Sequence, residues 1–274
     1  MMNTIRADLY RIVRSKGFYI TLILLFACII LQTTGNVKMG VGIYNMEEEP
    51  GPETLEEFTE EVLMAPEALT GSTAPFFMME NTDSILYFML PLIIFIAAVD
   101  FSAGAVKNVL TSGTSRAKLY LSKLFLSCAF CFLIILLYAI LTILAATMMS
   151  GFGGAFNLDF ILRLARPLLA QFFMCLSITC VGVFFTFTTK RTSAVIGAYI
   201  AFCVLPQLIM FIFYQLNNNL EFLFKYDLIA NIRMLAYIDI SETVDIVRAF
   251  AVGAFYILAS TIGGIAIFKR SEIK

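Results

Sequence analysis

The chain of 274 residues contains no histidine. Ser/His and Cys/His nucleophiles, H-E-x-x-H zinc sites and histidine-ligated haem are therefore excluded as chemistries of this chain. The sequence also has no G-x-x-x-x-G-K-[ST] motif, so it cannot hold a nucleoside triphosphate in a P-loop. We expect a protein that is not an enzyme by itself and that binds neither a cofactor nor a catalytic metal.

Charged residues are also scarce. They make up 14% of the chain, against roughly 25% in soluble domains, while hydrophobic residues make up 60% and the mean hydropathy is +0.87. A helix needs about 20 residues to cross roughly 30 Å of hydrocarbon. By that measure the sequence predicts an all-α integral membrane protein with six transmembrane helices, at residues 18–34, 84–99, 124–149, 167–188, 193–214 and 249–268.

Lysine and arginine are distributed unevenly between the loops. With both termini on the inner side, 13 of the 19 basic residues lie inside and 17 of the 20 acidic residues lie outside. Because cytoplasmic loops carry an excess of Lys and Arg, the sequence predicts a multi-pass cell-membrane protein whose N-terminus and tail, residues 269–274, are cytoplasmic. No A-x-A site follows the first run, which we interpret as a retained signal anchor rather than a cleaved signal peptide.

Residues 1–17 form a basic amphipathic segment before the first span. Apolar residues recur at helical spacing on one side of it, namely Ile5, Leu9, Ile12 and Val13. The pattern favours an interfacial helix that lies in the membrane plane and turns at Gly17 into the first span; the alternative is a solvated helical lead-in. The basic side chains expected at the lipid headgroups are Arg6, Arg11 and Arg14.

Two outer segments are expected to carry short helices. Residues 35–83 form an acidic extracellular loop, in which residues 53–64 have apolar side chains at helical spacing. Its carboxylates either form a solvated face or bind cations or cationic peptides. Residues 215–248 mix apolar and charged side chains, which is typical of short helices in the outer leaflet or of re-entrant pieces buried against protein. Ser241 is expected to cap the last helix.

The spans contain almost no ionisable residues at mid-depth, which argues against an ion-coupled carrier. Phe, Met, Ser and Thr recur there instead, most densely in the fourth span. This soft surface with scattered hydroxyls fits either helix packing or an apolar path for amphipathic substrates. The candidate path residues are Phe173, Ser177 and Phe184.

Residues 100–123 are a cationic, hydroxyl-rich segment between the second and third spans. Residues 105–110 can form one or two helical turns, and residues 112–115 break them before Arg116 starts the third helix. We predict a short helix across the inner membrane face that presents Lys107, Asn108 and Arg116 to a soluble partner. The alternative is an ordinary charged inner loop.

This loop resembles that of type-2 ATP-binding-cassette transporter permeases over the sequence G-A-V-K-N-V-L-T-S-G-T-S-R-A-K-L-Y-L-S-K-L. In those proteins the pattern runs as an acidic residue, G-T, a small helix, L-x-x-G, a hydrophobic or small residue, S-R and then S/G-K-L/I; here Ala105 stands where Thr is common. The plan of basic amphipathic N-terminus, six spans, large first outer loop and helical segment before the last span is also similar. The residues at the motif positions are Asp100, Gly104, Lys107, Asn108, Leu110, Gly113, Ser115, Arg116 and Lys123.

The resemblance implies a half-transporter. Two six-span subunits would pair, the second being an identical copy or a related chain, and two soluble ATPase subunits that hold ATP and Mg²⁺ would bind the inner loops. The N-terminal helix and residues 100–123 would be the contact elements, and closing of the ATPases would shift the membrane dimer between conformations.

The chain also resembles, more loosely, the subset that exports bacteriocins, lantibiotics and cytolytic peptide toxins in Gram-positive bacteria. That resemblance implies movement of amphipathic or antimicrobial peptides out of the cell or membrane, with no role for nucleic acid. Alternatives are export of lipid, polysaccharide or a small drug, and a non-transporting sensor or scaffold whose inner loop docks a signalling partner.

Overall fold

The computed structural model describes residues 2–42, 70–79, 82–102, 104–216, 225–239 and 241–271. Within these residues every regular element is helical and no strand occurs, and six helices are long and apolar enough to cross a membrane. The predicted all-α membrane architecture is therefore confirmed. The elements are α1 (Met2–Arg14), α2 (Lys16–Gly42), α3 (Ala74–Met79), α4 (Asp83–Ile93), a π turn (Ile94–Ala98), α5 (Val99–Ser102), α6 (Ala105–Thr111), α7 (Arg116–Ser150), α8 (Leu158–Thr189), α9 (Thr192–Leu216), α10 (Leu228–Met234), a 3₁₀ turn (Leu235–Tyr237) and α11 (Thr243–Arg270).

The six spans are α2, the continuous run of α4, π turn and α5, and then α7, α8, α9 and α11. Two of them begin well before the predicted apolar runs. Helix α7 begins at Arg116, as predicted for the third helix, although the apolar run begins at residue 124, and α8 begins at Leu158 rather than at residue 167. Pro167 therefore lies inside a helix. The reason is that hydropathy identifies the part of a helix suited to hydrocarbon, whereas the backbone hydrogen bonds of the helix continue until a cap or a break ends them.

Side-chain caps set both of these helix starts. Ser115 Oγ accepts a hydrogen bond from the backbone N–H of Lys118 at 3.3 Å, and Asn157 Oδ1 accepts one from the N–H of Phe160 at 2.9 Å. Each bond satisfies a donor that the first helical turn leaves without an intrahelical partner.

Helix α8 lies at the centre of the bundle, with 61% of its spanning window buried against 17% for the spanning windows of α9 and α11. Its close approach to α11 depends on Gly253, where a Cβ atom would come within 2.8 Å of Phe173 and 2.9 Å of the Met174 sulfur. Ser177 Oγ donates to the Gly253 carbonyl at 3.0 Å across this contact. Small residues and interhelical hydrogen bonds are the usual means of packing helices in membranes.

The alternating spans give the bundle two ends. The end that we call the basic end carries α1, α6, the turn between α8 and α9, and the last turn of α11. The opposite end carries α3, α10 and the loop between α7 and α8, where the N–H of Gly71 donates to the Gly151 carbonyl at 3.0 Å.

A buried glutamine joins the short helices of the opposite end to α8. Gln171 Nε2 donates to the carbonyls of Met79 at 2.7 Å and Ile232 at 3.1 Å, and its Oε1 accepts from Thr82 Oγ1 at 2.8 Å. The short helices α3 and α10 are thus joined to α8, and α10 lies in the segment 215–248 that the sequence predicts to carry short helices.

Two expectations for these segments have other outcomes. The helix expected at residues 53–64 lies outside the described residues. The prediction that Ser241 caps the last helix is wrong: the residue at that position is Glu242, and Ser241 Oγ instead donates to the Tyr237 carbonyl at 2.8 Å.

The N-terminal helix α1 ends at Arg14, and the break before α2 falls at Ser15 rather than at the predicted Gly17. Ser15 Oγ accepts from the N–H of Phe18 at 3.2 Å, which caps α2. Gly17 has a different role, because a Cβ atom there would lie 2.2 Å from the ring of Phe95. The glycine lets the start of α2 pack directly on the π turn.

Candidate functional site

Helix α6 connects the second and third spans at the basic end. Gly104 precedes it with φ of +67° and Gly113 follows it with φ of +89°, and an added Cβ would meet nothing within 4 Å at either glycine. Since space is not limiting, both glycines are required by their left-handed backbone conformation. These two turns let a short helix leave the line of one span and return to the next.

The two sides of α6 differ in exposure. Val106 is 4% exposed and packs into the core, whereas Lys107, Asn108 and Thr111 are exposed. The helix is therefore anchored by an apolar side chain and presents a cationic, hydrogen-bonding surface away from the bundle. This is the arrangement that the sequence predicts for Lys107 and Asn108.

Arg116 does not share that surface, contrary to the sequence prediction. Its Nη1 donates to the carbonyls of Phe268 at 3.1 Å, Lys269 at 2.8 Å and Ser271 at 2.7 Å. These carbonyls end α11, where helix backbones lack internal donors and carry partial negative charge. Arg116 therefore joins the start of α7 to the end of α11. Ser115, also predicted at the site, is the cap of α7 described above.

Four charged residues meet behind α6, and we call them the ion cluster: Asp8, Arg11, Asp100 and Lys123. Lys123 Nζ donates to Asp8 Oδ2 at 2.7 Å and also to Asp100 Oδ2, while Arg11 donates to Asp100 Oδ1 through Nη1 and lies 3.4 Å from Asp8 Oδ1 through Nη2. The residues come from α1, α5 and α7. Two carboxylates facing two cations satisfy the requirement that buried charges be paired.

The ion cluster contains two residues that the sequence predictions name, Asp100 and Arg11. Asp100, which stands at the acidic position of the transporter-like motif, is 6% exposed and bonded to Arg11 and Lys123. Arg11 is the residue whose position differs from the prediction. Arg11 was expected at the lipid headgroups together with Arg6 and Arg14. Arg6 and Arg14 are exposed as predicted, whereas the Arg11 side chain is 39% exposed and directs its guanidinium at the two buried carboxylates of the ion cluster.

Burial also changes the acidity of Asp8, which lies outside the spans. Loss of water around the carboxyl raises its pKa above the usual value, and this outweighs the opposing attraction of the Lys123 ammonium. The nearby charge of Asp100 acts in the same direction as burial. Desolvation of the Asp8 carboxyl is thus offset only in part by its cationic neighbours.

Arg11 has a second contact, with the backbone of the π turn. Its Nη2 donates to the carbonyls of Phe95 at 3.1 Å and Ile96 at 3.4 Å. The turn is wider than an α turn, with the N–H of Val99 bonded to the Ile94 carbonyl five residues back. A π turn contains an extra residue, so carbonyls there fall out of the α-helical ladder and accept side-chain donors.

In the sequence, Lys123 is identified as an inner positive charge and as a motif position of the 100–123 segment, but no ion pair is predicted for Lys123 and no role for Asp8. Lys123 is 2% exposed. One signal was present in the sequence: Asp8 lies three residues after Ile5 and four before Ile12, and so falls on the same helical face as both. An acid on the buried face of a helix requires a cationic partner.

The predicted substrate-path residues divide between packing and a groove. Ser177 is fully buried and its hydroxyl is used at the contact of α8 with α11, which favours packing for this residue. Phe173 lies 5.2 Å from the ring of Phe250 and lines an open groove of about 570 Å³ between α8 and α11. The ring centroid of Phe184 lies 5.6 Å from that of Phe185, and the two rings are tilted.

Comparison with known proteins and a search for metal-binding groups add no assignment. No cluster of three or more potential metal ligands of the Cys, Asp or Glu type occurs among the residues that the structure describes. No model of a protein family matches the chain, and no curated protein matches it either.

Proposed function

We propose that this chain is the membrane-spanning subunit of an ATP-driven exporter, and that α6 is the surface on which a separate ATPase docks. The observation that carries the proposal is the exposed face of α6, with Lys107 and Asn108 directed away from the bundle between two turns that require glycine. A short polar helix that joins two spans offers a partner specific contacts and a point from which movement can pass to the spans.

Such transmission requires that α6 move together with the spans. Val106 fixes α6 to the core, and α5 leads into it from Asp100, which is tied to α7 through Lys123. On the other side Arg116 ties the start of α7 to the end of α11. A push on α6 is thereby passed to the second, third and sixth spans as a rigid-body displacement, which is how soluble motors shift membrane helices.

The remaining features of the proposal follow from charge and composition. The excess of Lys and Arg at the basic end favours a cytoplasmic position for this end, with both termini on the cytoplasmic side of a bacterial plasma membrane. ATP and Mg²⁺ would be held by the ATPase subunits, and a second six-span subunit would complete the transporter. Apolar spans with few ionisable residues support amphipathic peptides as the substrate, with lipid, polysaccharide or a small drug as the competing classes.

The docking proposal is tested by isolating the tagged chain from its native membranes with its bound partners. We expect a soluble ATPase with a Walker motif to copurify, and Lys107→Glu to reduce its recovery at least tenfold. Arg191→Glu is the matched control, since Arg191 is exposed in the turn between α8 and α9 at the same end. Recovery of a kinase without an ATPase would replace this proposal with the sensor or scaffold alternative, and equal loss in both variants would remove α6 as the docking surface.

The substrate is tested with the isolated complex in lipid nanodiscs. Stimulation of ATP hydrolysis by cationic amphipathic peptides, and not by lipids or small drugs added at equal concentration, is the expected result. Stimulation by one of the other classes alone would assign the exporter to that class instead.

A further inference from the structure

The second span is interrupted by the π turn, Ile94–Ala98, and the short helix α5 lies between this turn and α6. The turn lies in the part of the chain that connects the span to α6: Asp100 follows it by two residues, and Gly104 begins the α6 turn four residues later. Any change in the winding of this turn therefore alters the position of α6. A change of one residue in helical winding rotates the following residues by about 100° and moves them by about 1.5 Å along the axis.

Two groups from the N-terminal region hold the π turn in place. The Arg11 guanidinium donates to the carbonyls of Phe95 and Ile96 and, through its other nitrogen, to the Asp100 carboxylate. Gly17 receives the Phe95 ring against its backbone. One side chain of α1 thus spans the wide turn and the first α-helical residues after it.

Asp8 and Lys123 fix the side of the ion cluster that faces α7. Lys123 bonds both carboxylates, so α1 and α5 are each joined to the third span. On the other side of the ion cluster, the guanidinium of Arg11 donates hydrogen bonds to the carbonyls of the π turn itself. Its planar fork suits this task, because it directs donors at a carboxylate and at backbone oxygens together, which the single ammonium of a lysine does not.

We propose that Arg11 is a positioning residue that maintains the winding of the π turn and thereby the orientation in which α6 is presented. The inference rests on the proposed function for its consequence, since α6 is there the surface that the ATPase contacts. This role couples α1 to α6. A displacement of α1 changes the hydrogen bonds from Arg11 to the π turn, and the winding of the turn determines the orientation of α6. The π turn is then the element with two arrangements that coupling between the ATPase and the spans requires.

The proposal is tested by hydrogen exchange of the full chain in lipid nanodiscs, read by mass spectrometry on peptides that cover residues 94–111. Arg11→Lys keeps the positive charge but removes the fork, and we expect it to accelerate exchange in these peptides by about tenfold or more, since a charge-assisted hydrogen bond is lost. Arg14→Lys is the matched control, because Arg14 is exposed on the same helix and lies over the Tyr10 ring at 4.5 Å. It is expected to leave exchange unchanged.

Arg11→Gln provides a second variant, which retains a side-chain NH₂ donor for the carbonyls but loses the charge that pairs with Asp100. In this variant, hydrogen exchange at residues 94–111 is expected to be faster than in wild type and slower than in Arg11→Lys. Exchange at residues 94–111 that matches wild type in both variants would overturn the proposal. So would acceleration spread evenly over all spans, or failure of both variants to give monodisperse protein while Arg14→Lys does, because each assigns Arg11 a role in general stability only.

The consequence for function is read separately, as ATP hydrolysis by the copurified complex. We expect Arg11→Lys to lose substrate stimulation of ATP hydrolysis when variants are compared at equal amounts of bound ATPase, whereas Arg14→Lys retains it. If no ATPase copurifies with wild type, the proposed function fails, and the exchange experiment still decides whether Arg11 holds the π turn. If the ATPase copurifies and Arg11→Lys retains full stimulation, the positioning role fails and the proposed function stands.

Discussion

Replacing Lys123 with methionine tests whether the ion cluster holds the basic end of the bundle together. Methionine has a similar length and packs well in irregular apolar sites, so the substitution removes the charge with little change in volume. It leaves Asp8 and Asp100 buried and facing each other with Arg11 as the remaining cation of the cluster.

The expected cost is large because Lys123 is 2% exposed and bonds two carboxylates from two other helices. Removing one partner of a buried ion pair costs about 3–5 kcal/mol, since the opposite charge remains buried without compensation. For a chain of this size that corresponds to a decrease in Tm of roughly 6–20 °C.

The cysteines of the chain provide the assay. Cys131, Cys175 and Cys203 are buried cysteines, so a thiol-reactive fluorogenic dye reports their exposure when the purified chain is heated in detergent. Lys118→Met is the matched control, since Lys118 is exposed on the same helix, and it is expected to change Tm by less than about 2 °C.

A double variant separates pairing from other effects of the substitution. Asp100→Asn together with Lys123→Met removes one charge of each sign, and we expect it to be less destabilised than the sum of the two single variants, by about 1–3 kcal/mol. A Tm for Lys123→Met equal to that of Lys118→Met, or strictly additive single variants, would refute the reasoning.

Two further predictions concern neighbouring contacts. Arg116→Met removes the donor to the last carbonyls of α11 and is expected to cost roughly 1.5–3 kcal/mol, with faster hydrogen exchange confined to the last turn of α11; unchanged exchange there would contradict the capping role. Because burial raises the Asp8 pKa above 3.8, the folded chain binds this proton more tightly than the unfolded chain, so its contribution to stability is complete below about pH 4 and is lost as pH rises through the folded-state pKa. The Tm difference between wild type and Asp8→Asn is therefore expected to shift in favour of wild type as the pH is lowered from 7 towards 4, and a difference independent of pH in that range would show that the carboxyl is not desolvated.

The features that could be predicted from the sequence are those set by neighbouring residues. The six spans follow from runs of apolar residues that match the thickness of a bilayer. The helix α6 and its ends follow from the positions of Gly104 and Gly113, whose backbone freedom is a local property. The exposure of Lys107 and Asn108 follows from the 3.6-residue period of that helix, in which Val106 is the buried member.

The partners of the charged residues could not be predicted, because they lie far apart along the chain. Arg11 and Asp100 are 89 residues apart, Asp8 and Lys123 are 115 apart, and Arg116 and Ser271 are 155 apart. Nothing near these charged residues in the sequence indicates their partners, and only the packing of α1, α5 and α7 brings the ion cluster together.

The sequence by itself thus determined that this chain is a six-span helical membrane protein with a short polar helix after its second span, since hydropathy and glycine conformation act over a few residues. The tertiary structure decided which charges face outward and which hold helices together. It also placed Arg11 on the π turn, because the energy of a buried charge depends on the groups that surround it in space.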